Sequence, residues 1–248
     1  MNDRLGWRLK LGVLVPAFNT TVQPELEAMR PAGVTNHVAR IEIPDFPLAS
    51  DDDQEKVIRS LGDDLFGALR RVMIARPAAV ILGIAIPTFW GGVEGGRELL
   101  RRLEAAAGVP CILGAQASVE ALRRFPGKTR LGVLTPYQPV GDAQVSRYLA
   151  EAGFAPTALV SLRRPSNLEI AHADQAILRD GLDELVGRGC DIILQVGTNL
   201  AMTDLVEAES SRIGMPIVAI NTALYWMALR KMSIEDRVPG FGPLLAEH

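Results

Sequence analysis

Apolar and polar positions along this chain alternate between two periods. Leu11-Gly12-Val13-Leu14-Val15-Pro16 is a short β-type run closed by proline, and Ala78 to Ile84 is a second, uncharged run that follows Pro77. Continuous apolar runs of this length suit parallel strands covered on both faces. Between them, Thr35 to Ile43 sets Val38, Ile41 and Ile43 among polar residues and reads as another strand. Asp51 to Arg76 carries Val57, Leu61, Leu65, Leu69 and Val72 as a helical stripe behind an acidic start, Asp51-Asp52-Asp53, which suits the positive end of a helix. Glu94 to Ala107 predicts a helix and Cys111 to Gly114 a short strand. The second half repeats the order. Strands are expected at Arg130 to Thr135, Thr157 to Leu162, Asp191 to Val196 and Ile217 to Ile220. Helices are expected at Asp142 to Ala152, Leu168 to Gly187, Met202 to Ile213 and Ala223 to Met232.

The repetition extends to residues. Leu131-Gly132-Val133-Leu134-Thr135-Pro136 copies Leu11 to Pro16 with one change, Ile81-Leu82 recurs as Ile193-Leu194, and Val109-Pro110 is echoed by Met215-Pro216. Strands alternating with helices imply parallel sheets built by right-handed crossovers. The expected fold is α/β: two similar lobes with parallel sheets, related by a pseudo-twofold. The first lobe covers 1–124 and is joined by the C-terminal helix, about 222–248; the second covers 125–221. The lobes meet near Phe125-Pro126-Gly127, with a cleft between their strand ends.

Composition narrows the function classes. Hydrophobic residues make up 48% and charged residues 22% of the 248, a globular balance that argues against disorder. A formal charge of −3 supplies no basic field for nucleic acid. The uncharged stretch from Pro77 to Val93 contains Gly83, Pro87, Gly91 and Gly92 and is shorter than the ~20 apolar residues a membrane span needs. Met1 to Lys10 has no apolar signal-peptide core, and two cysteines make no disulfide framework, so a reducing cytoplasm is expected.

In α/β sheets, ligands bind past the carboxyl ends of strands. Asn19 falls there, beside a helix that Thr20 or Thr21 is expected to cap. Tyr137 follows the duplicated strand, Asn167 follows Arg163-Arg164-Pro165-Ser166, and Ile84-Ala85-Ile86 faces Val196-Gly197-Thr198-Asn199 across the cleft. Each Asn or Thr alone is a common turn or cap residue; as a set they suit a small polar or carboxylate ligand. Gly91-Gly92-Val93-Glu94-Gly95-Gly96 lacks the Lys-Ser/Thr of a phosphate loop and reads as a mobile loop or as a helix start whose N–H groups could take an anion. Phe89-Trp90 is either a lid over an apolar ligand part or an anchor for that loop. His37, His172 and His248 have no metal-ligand spacing, so neither metal nor cofactor is expected.

Val15-Pro16-Ala17-Phe18-Asn19-Thr20-Thr21 with the following Pro24-Glu25, together with Gly33-Val34 through Arg40-Ile41, Tyr137, Asn167 with Ile170-Ala171 and Gly197-Thr198-Asn199-Leu200, resembles the maleate cis-trans isomerase family. That family is close to the arylmalonate decarboxylases, within the aspartate/glutamate racemase superfamily. The resemblance implies the two-lobed fold and a small carboxylate held by Asn19, Tyr137, Asn167 and backbone N–H groups near Gly197. It also implies two cysteines, one at the end of each central strand, related by the pseudo-twofold. Those positions read here as Ile84 and Val196, and the hydroxyls that family decarboxylases use are replaced by Ala85 and Ile86. An aliphatic side chain neither adds to a double bond nor moves a proton. Cys111 and Cys190 are expected to be buried and to point away from the ligand end. The expected function is a cofactor-independent, cysteine-independent isomerase, lyase or hydratase acting on a small carboxylate, with Tyr137 the one candidate acid. The alternative is a non-catalytic carboxylate-binding or regulatory protein on a former enzyme scaffold. A homo-oligomer is the expected assembly.

Overall fold

The computed structural model describes residues 3–248, the side chain of Asp63 excepted. The first apolar run forms β1 (Leu9–Pro16), buried along its length apart from Lys10. It pairs in parallel with β2 (Val34–Ile41) and with β3 (Ala79–Leu82), and β4 (Cys111–Leu113) closes the sheet in the order β2-β1-β3-β4. Around it lie α1 (Val22–Ala28), α2 (Asp51–Met73), the short α3 (Ile86–Phe89), α4 (Gly92–Ala107) and α5 (Gly114–Leu122). The second sheet is wound identically, β6-β5-β7-β8, from β5 (Leu131–Thr135), β6 (Ala158–Ser161), β7 (Ile192–Gln195) and β8 (Ile217–Ala219). Its helices are α6 (Pro139–Glu151), α7 (Gln175–Gly187), α8 (Val206–Ile213) and α9 (Ile220–Lys231), followed by α10 (Pro243–Glu247). In both sheets the strand order reverses beside the first strand, and at such a point a doubly wound sheet leaves a crevice.

The repeated glycines serve packing. A Cβ on Gly132 would lie 2.7 Å from the Cys190 sulfur, and one on Gly12 would meet Val72 and Pro77 at 3.1–3.3 Å. Helix and loop therefore close directly onto the central strand of each sheet.

Four local expectations are corrected. Helix α5 was not foreseen: Ala115, Ala117, Val119, Ala121 and Leu122 are all buried, because it packs against α9, a helix from the far end of the chain. The short α3 likewise continues directly from the end of β3. The helix expected over Leu168 to Gly187 is broken into a 3-10 turn at Glu169–His172 and α7, since Asp174 adopts an extended ψ of 173° and accepts from Ile177 N at 2.9 Å as a new cap. Helix α8 starts at Val206, not Met202, because the N–H groups of Met202 and Thr203 donate instead to Glu25 Oε1, at 2.9 and 3.0 Å.

Backbone links tie the lobes together next to the crevice. Leu48 N donates to Pro165 O at 2.7 Å, Leu168 N to Asp45 Oδ1 at 3.0 Å and Val140 N to Asp51 Oδ1 at 2.9 Å, and Gln138 Nε2 donates to Leu48 O. The start of α2 is thereby fixed to the second lobe. Among the described residues no helix is long and apolar enough to cross a membrane.

Candidate functional site

The corner after β1 is built by Asn19. Its Oδ1 accepts from Thr21 N at 3.0 Å and Val22 N at 2.9 Å, satisfying two donors that the start of α1 leaves open. Neither threonine caps: Thr21 is already in the helical region (φ −101°, ψ −46°), and its hydroxyl donates to Asn199 O at 3.0 Å. Arg40 Nη1 holds Asn19 O at 2.6 Å. Asn199 is spent as a brace: its Oδ1 accepts from Thr20 N at 3.0 Å and its Nδ2 donates to Asn167 O at 2.8 Å.

Register fixes which residues at the two central strand ends correspond. Gly83 N donates to Leu14 O at 2.7 Å, and Val196 N donates to Leu134 O at 2.8 Å. Leu14 and Leu134 are the same position of the repeat, so Gly83 corresponds to Val196, and Ile84 to Gly197. This corrects the pairing of Ile84 with Val196, which followed from matching Ile81-Leu82 with Ile193-Leu194. The ladder instead pairs Ile81 with Val13 and Leu194 with Val133. A slip of one residue turns a side chain to the other face. Val196 accordingly packs fully buried in the core, while Gly197 reaches the crevice.

A cavity of about 30 Å³ lies there, between the lobes. It brings together every site residue expected from the sequence except Val196: Asn19, Ile84, Ala85, Ile86, Tyr137, Asn167, Gly197, Thr198 and Asn199. Phe18, Gln54, Val57 and Ile170 also line it and were missed. Gln54 was legible as one polar residue a turn ahead of Val57 on the apolar stripe of α2. The volume suits one or two water molecules, so a four-carbon acid requires the walls to part.

The backbone N–H groups of Ile84, Ala85 and Ile86 on one side, and of Gly197, Thr198 and Asn199 on the other, donate no hydrogen bond among the described residues. Successive free N–H groups in a turn form an anion-binding concavity. Gly197 has φ +114°, and a Cβ there would stand 2.8 Å from Pro136 Cδ and Cγ.

Among the described lining residues, Tyr137 is the one with a titratable group. Burial, and secondarily the charge of Asp142, push its phenol well above the ordinary tyrosine value near 10 that the sequence suggests. Its hydroxyl makes no hydrogen bond among the described residues, and its backbone oxygen accepts from Ser161 Oγ at 2.6 Å. Behind it, burial lifts the Asp142 carboxyl to about 6 against the hydrogen bond that Thr135 donates to it. Sequence reasoning did not single out Asp142.

Other expectations resolve away from the cavity. The glycine-rich start of α4 takes a carboxylate of the protein itself: Val93 N donates to Glu151 Oε2 at 2.7 Å, and Gly91 N to Gln144 Oε1 at 3.0 Å. A Cβ on Gly92 would stand 2.2 Å from that Glu151 oxygen. Phe89 is an anchor, fully buried edge-on to Tyr148 at 5.3 Å, and neither it nor Trp90 lines the cavity. Cys111 and Cys190 are buried free thiols outside the cavity lining. Burial raises both, Cys111 to about 12. Among the described residues no three His, Cys, Asp or Glu side chains are placed to hold a metal ion.

The arylmalonate decarboxylase family model matches residues 11–245, and the chain belongs to that family. It is 26% identical over 254 residues to a maleate isomerase of Pseudomonas putida, covering 96% of this chain and 97% of that protein. It is 28% identical over 182 residues to the arylmalonate decarboxylase of Bordetella bronchiseptica, covering 72% of this chain and 75% of that one. Among solved structures, a cysteine-to-serine mutant of Nocardia farcinica maleate cis-trans isomerase with a covalently bound succinylcysteine intermediate superposes with a TM-score of 0.86. The identity there is 21%, covering 97% of this chain and 99% of that one.

Proposed function

We propose that the protein holds a small carboxylate in the interlobe cavity and acts on it without a cysteine, as a lyase in preference to an isomerase or hydratase. The observation that carries this is the facing pair of free N–H sets, at Ile84 to Ile86 and at Gly197 to Asn199, in a cavity with no charged side chain among its described lining residues. Such groups stabilise an anion at fixed geometry. The Nocardia farcinica relative carries a succinylcysteine, which implies covalent addition of a thiol to its ligand. Here the resemblance assigns thiols to the pseudo-twofold pair, and by register that pair is Ile84 and Gly197. With no thiol among the described lining residues, the covalent route of that relative lacks its reagent.

Loss of carbon dioxide needs less. The C–C bond breaks, the electron pair stays on the remaining carboxylate as an enediolate steadied by N–H groups, and Tyr137 gives its proton to carbon. Water then restores the phenol. The aliphatic wall of Ile84, Ala85, Ile86 and Val57 disfavours the charged leaving carboxylate and so assists the step. Tyr137, held neutral by burial, is a donor and not a base.

A second reading, binding without turnover, is favoured by the absence of any other titratable group among the described lining residues. Turnover of malonate-type diacids and of maleate, followed by proton NMR, separates the two. Tyr137→Phe is expected to abolish release of carbon dioxide while holding ligand affinity within several-fold. Turnover that survives Tyr137→Phe removes the proton-donor role, and binding with no turnover of any acid leaves the second reading.

A further inference from the structure

Two buried polar atoms at the cavity have no hydrogen-bond partner among the described residues: Gln54 Oε1 and Asn167 Nδ2. Gln54 is 1% exposed and Asn167 5%. The side chains come from opposite lobes, Gln54 from the first turn of α2 and Asn167 from the loop after β6. Both are held by their backbones. Gln54 N donates to Ser50 O at 3.3 Å, and the neighbouring Asp51 fixes α2 to the second lobe through Val140 N. Asn167 O accepts from Asn199. A buried amide left unpaired loses its hydration without replacement, so native structures rarely keep one unless another molecule completes it.

We infer that Gln54 and Asn167 are specificity determinants that together grip one neutral group which both donates and accepts, a hydroxyl or a primary carboxamide, on the small carboxylate proposed above. The inference rests on that reading for the carboxylate and on these two amides for the second group. Gln54 and Asn167 line the same cavity from opposite lobes, so one group seated between them can meet both. A second carboxylate offers acceptors alone and would set its lone pairs against Gln54 Oε1. An ammonium offers donors alone and would meet the Asn167 N–H. A hydroxyl gives its hydrogen to one amide and its lone pair to the other. Discrimination of this kind is large, because a ligand lacking the group leaves buried polar atoms unpaired.

The test compares butanoate, 4-hydroxybutanoate, succinamate, succinate and neutral butanamide by titration calorimetry on the full chain and on Gln54→Met, which keeps the length of the side chain and removes its polarity. The hydroxy acid or the amide acid is expected to bind at least about tenfold more tightly than butanoate and succinate. Gln54→Met should reduce it to the butanoate level, leave butanoate within about twofold, and raise the melting temperature of the ligand-free protein. Equal affinities for butanoate and its polar analogues would overturn the inference and leave the carboxylate reading standing. So would a preference for succinate, in which both amides serve as donors. A lowered melting temperature of ligand-free Gln54→Met would also overturn it, since an ordered water then already completes the amide. Butanamide binding through Gln54 while the acids fail to bind would uphold the amide grip and sink the carboxylate reading. No binding by any probe overturns both.

Discussion

The ends of the two central strands occupy the same place in the duplicated fold and have become different devices. At the end of β3 the chain runs through Ile84, Ala85 and Ile86 into α3, and the Ala85 carbonyl is met inside its own lobe: Thr88 Oγ1 donates to Ala85 O at 2.6 Å and accepts from Ala115 N at 3.0 Å. At the end of β7 no helix follows at once, and the polar groups reach outward. Thr198 Oγ1 donates to Gly83 O at 3.2 Å, and Asn199 bonds Thr20 N and Asn167 O. Asn221 Nδ2 donates to Thr198 O at 2.9 Å and to Glu25 at 2.6 Å. One end is a wall and the other a latch. The free N–H groups persist in both, so backbone geometry can be kept while side chains diverge.

The sharpest way to break that comparison is to change each end by one methyl group. Gly197→Ala meets a left-handed φ of +114° and Pro136 at 2.8 Å. Strain of ~1–3 kcal/mol and overpacking of similar size should lower the melting temperature by roughly 5–15 °C. Ile84→Val trims one methyl from a wall that already borders a cavity and should cost ~0.5–1.5 kcal/mol. Calorimetry of the two variants decides; equal losses would mean that the ends are not specialised. Next in size, Asn19→Ala removes an acceptor used by two N–H groups and should cost ~1 kcal/mol as a lost cap, visible as a drop of a few degrees in the ligand-free protein. An unchanged melting temperature would show Asn19 to be reserved for ligand.

A smaller effect separates the lobes at the preceding strand. Val15 in β1 corresponds to Thr135 in β5, and Thr135 donates to Asp142, whose carboxyl stands at about 6 against an ordinary 3.8. A carboxyl raised in the folded state binds its proton more tightly there than in the unfolded chain. Its contribution to stability is therefore full below about 3.8 and falls as pH rises to about 6. Discounted for partial exposure, the change is roughly 1 kcal/mol. Asp142→Asn should gain on the unaltered protein across that window and hold a constant difference above it, read from melting temperatures between pH 3.5 and 7.5. A difference that does not vary with pH would remove the assignment.

Most of the sheet framework was legible because β1, β3, β5 and β7 each contain a short apolar run between turn residues, a signal that survives without tertiary context. Helix α5 was not, because a helix buried on nearly all sides shows no amphipathic period. The strand-end correspondence failed for a related reason: Ile81-Leu82 and Ile193-Leu194 are interchangeable as letters, and only the ladder fixes which residue of each lies opposite β1 and β5. That slip set Val196 opposite Ile84 and counted it among the cleft residues beside Gly197. Gln54 went unnoticed because a polar residue in the first turn of a helix is ordinary until burial shows that it has no partner.

The thiols carry the smallest expected effect and the most direct check on what the strand ends have lost. If catalysis had moved to Cys111 or Cys190, one of them would have to present a thiolate to ligand. Cys111 begins β4 with its thiol raised to about 12, which leaves roughly 10⁻⁴ of it ionised at pH 8. Cys190 is packed beneath Gly132, where a Cβ would touch its sulfur. Cys111 lies at the amino end of β4 and Cys190 just before β7, whereas the free N–H sets follow the carboxyl ends of β3 and β7. Alkylation of the native protein should therefore proceed only as fast as local opening allows, and a thermal shift produced by any small carboxylate should be the same before and after brief exposure to N-ethylmaleimide. Rapid, stoichiometric labelling of the folded chain with loss of that shift would put a thiol in the cavity and undo the distinction between wall and latch.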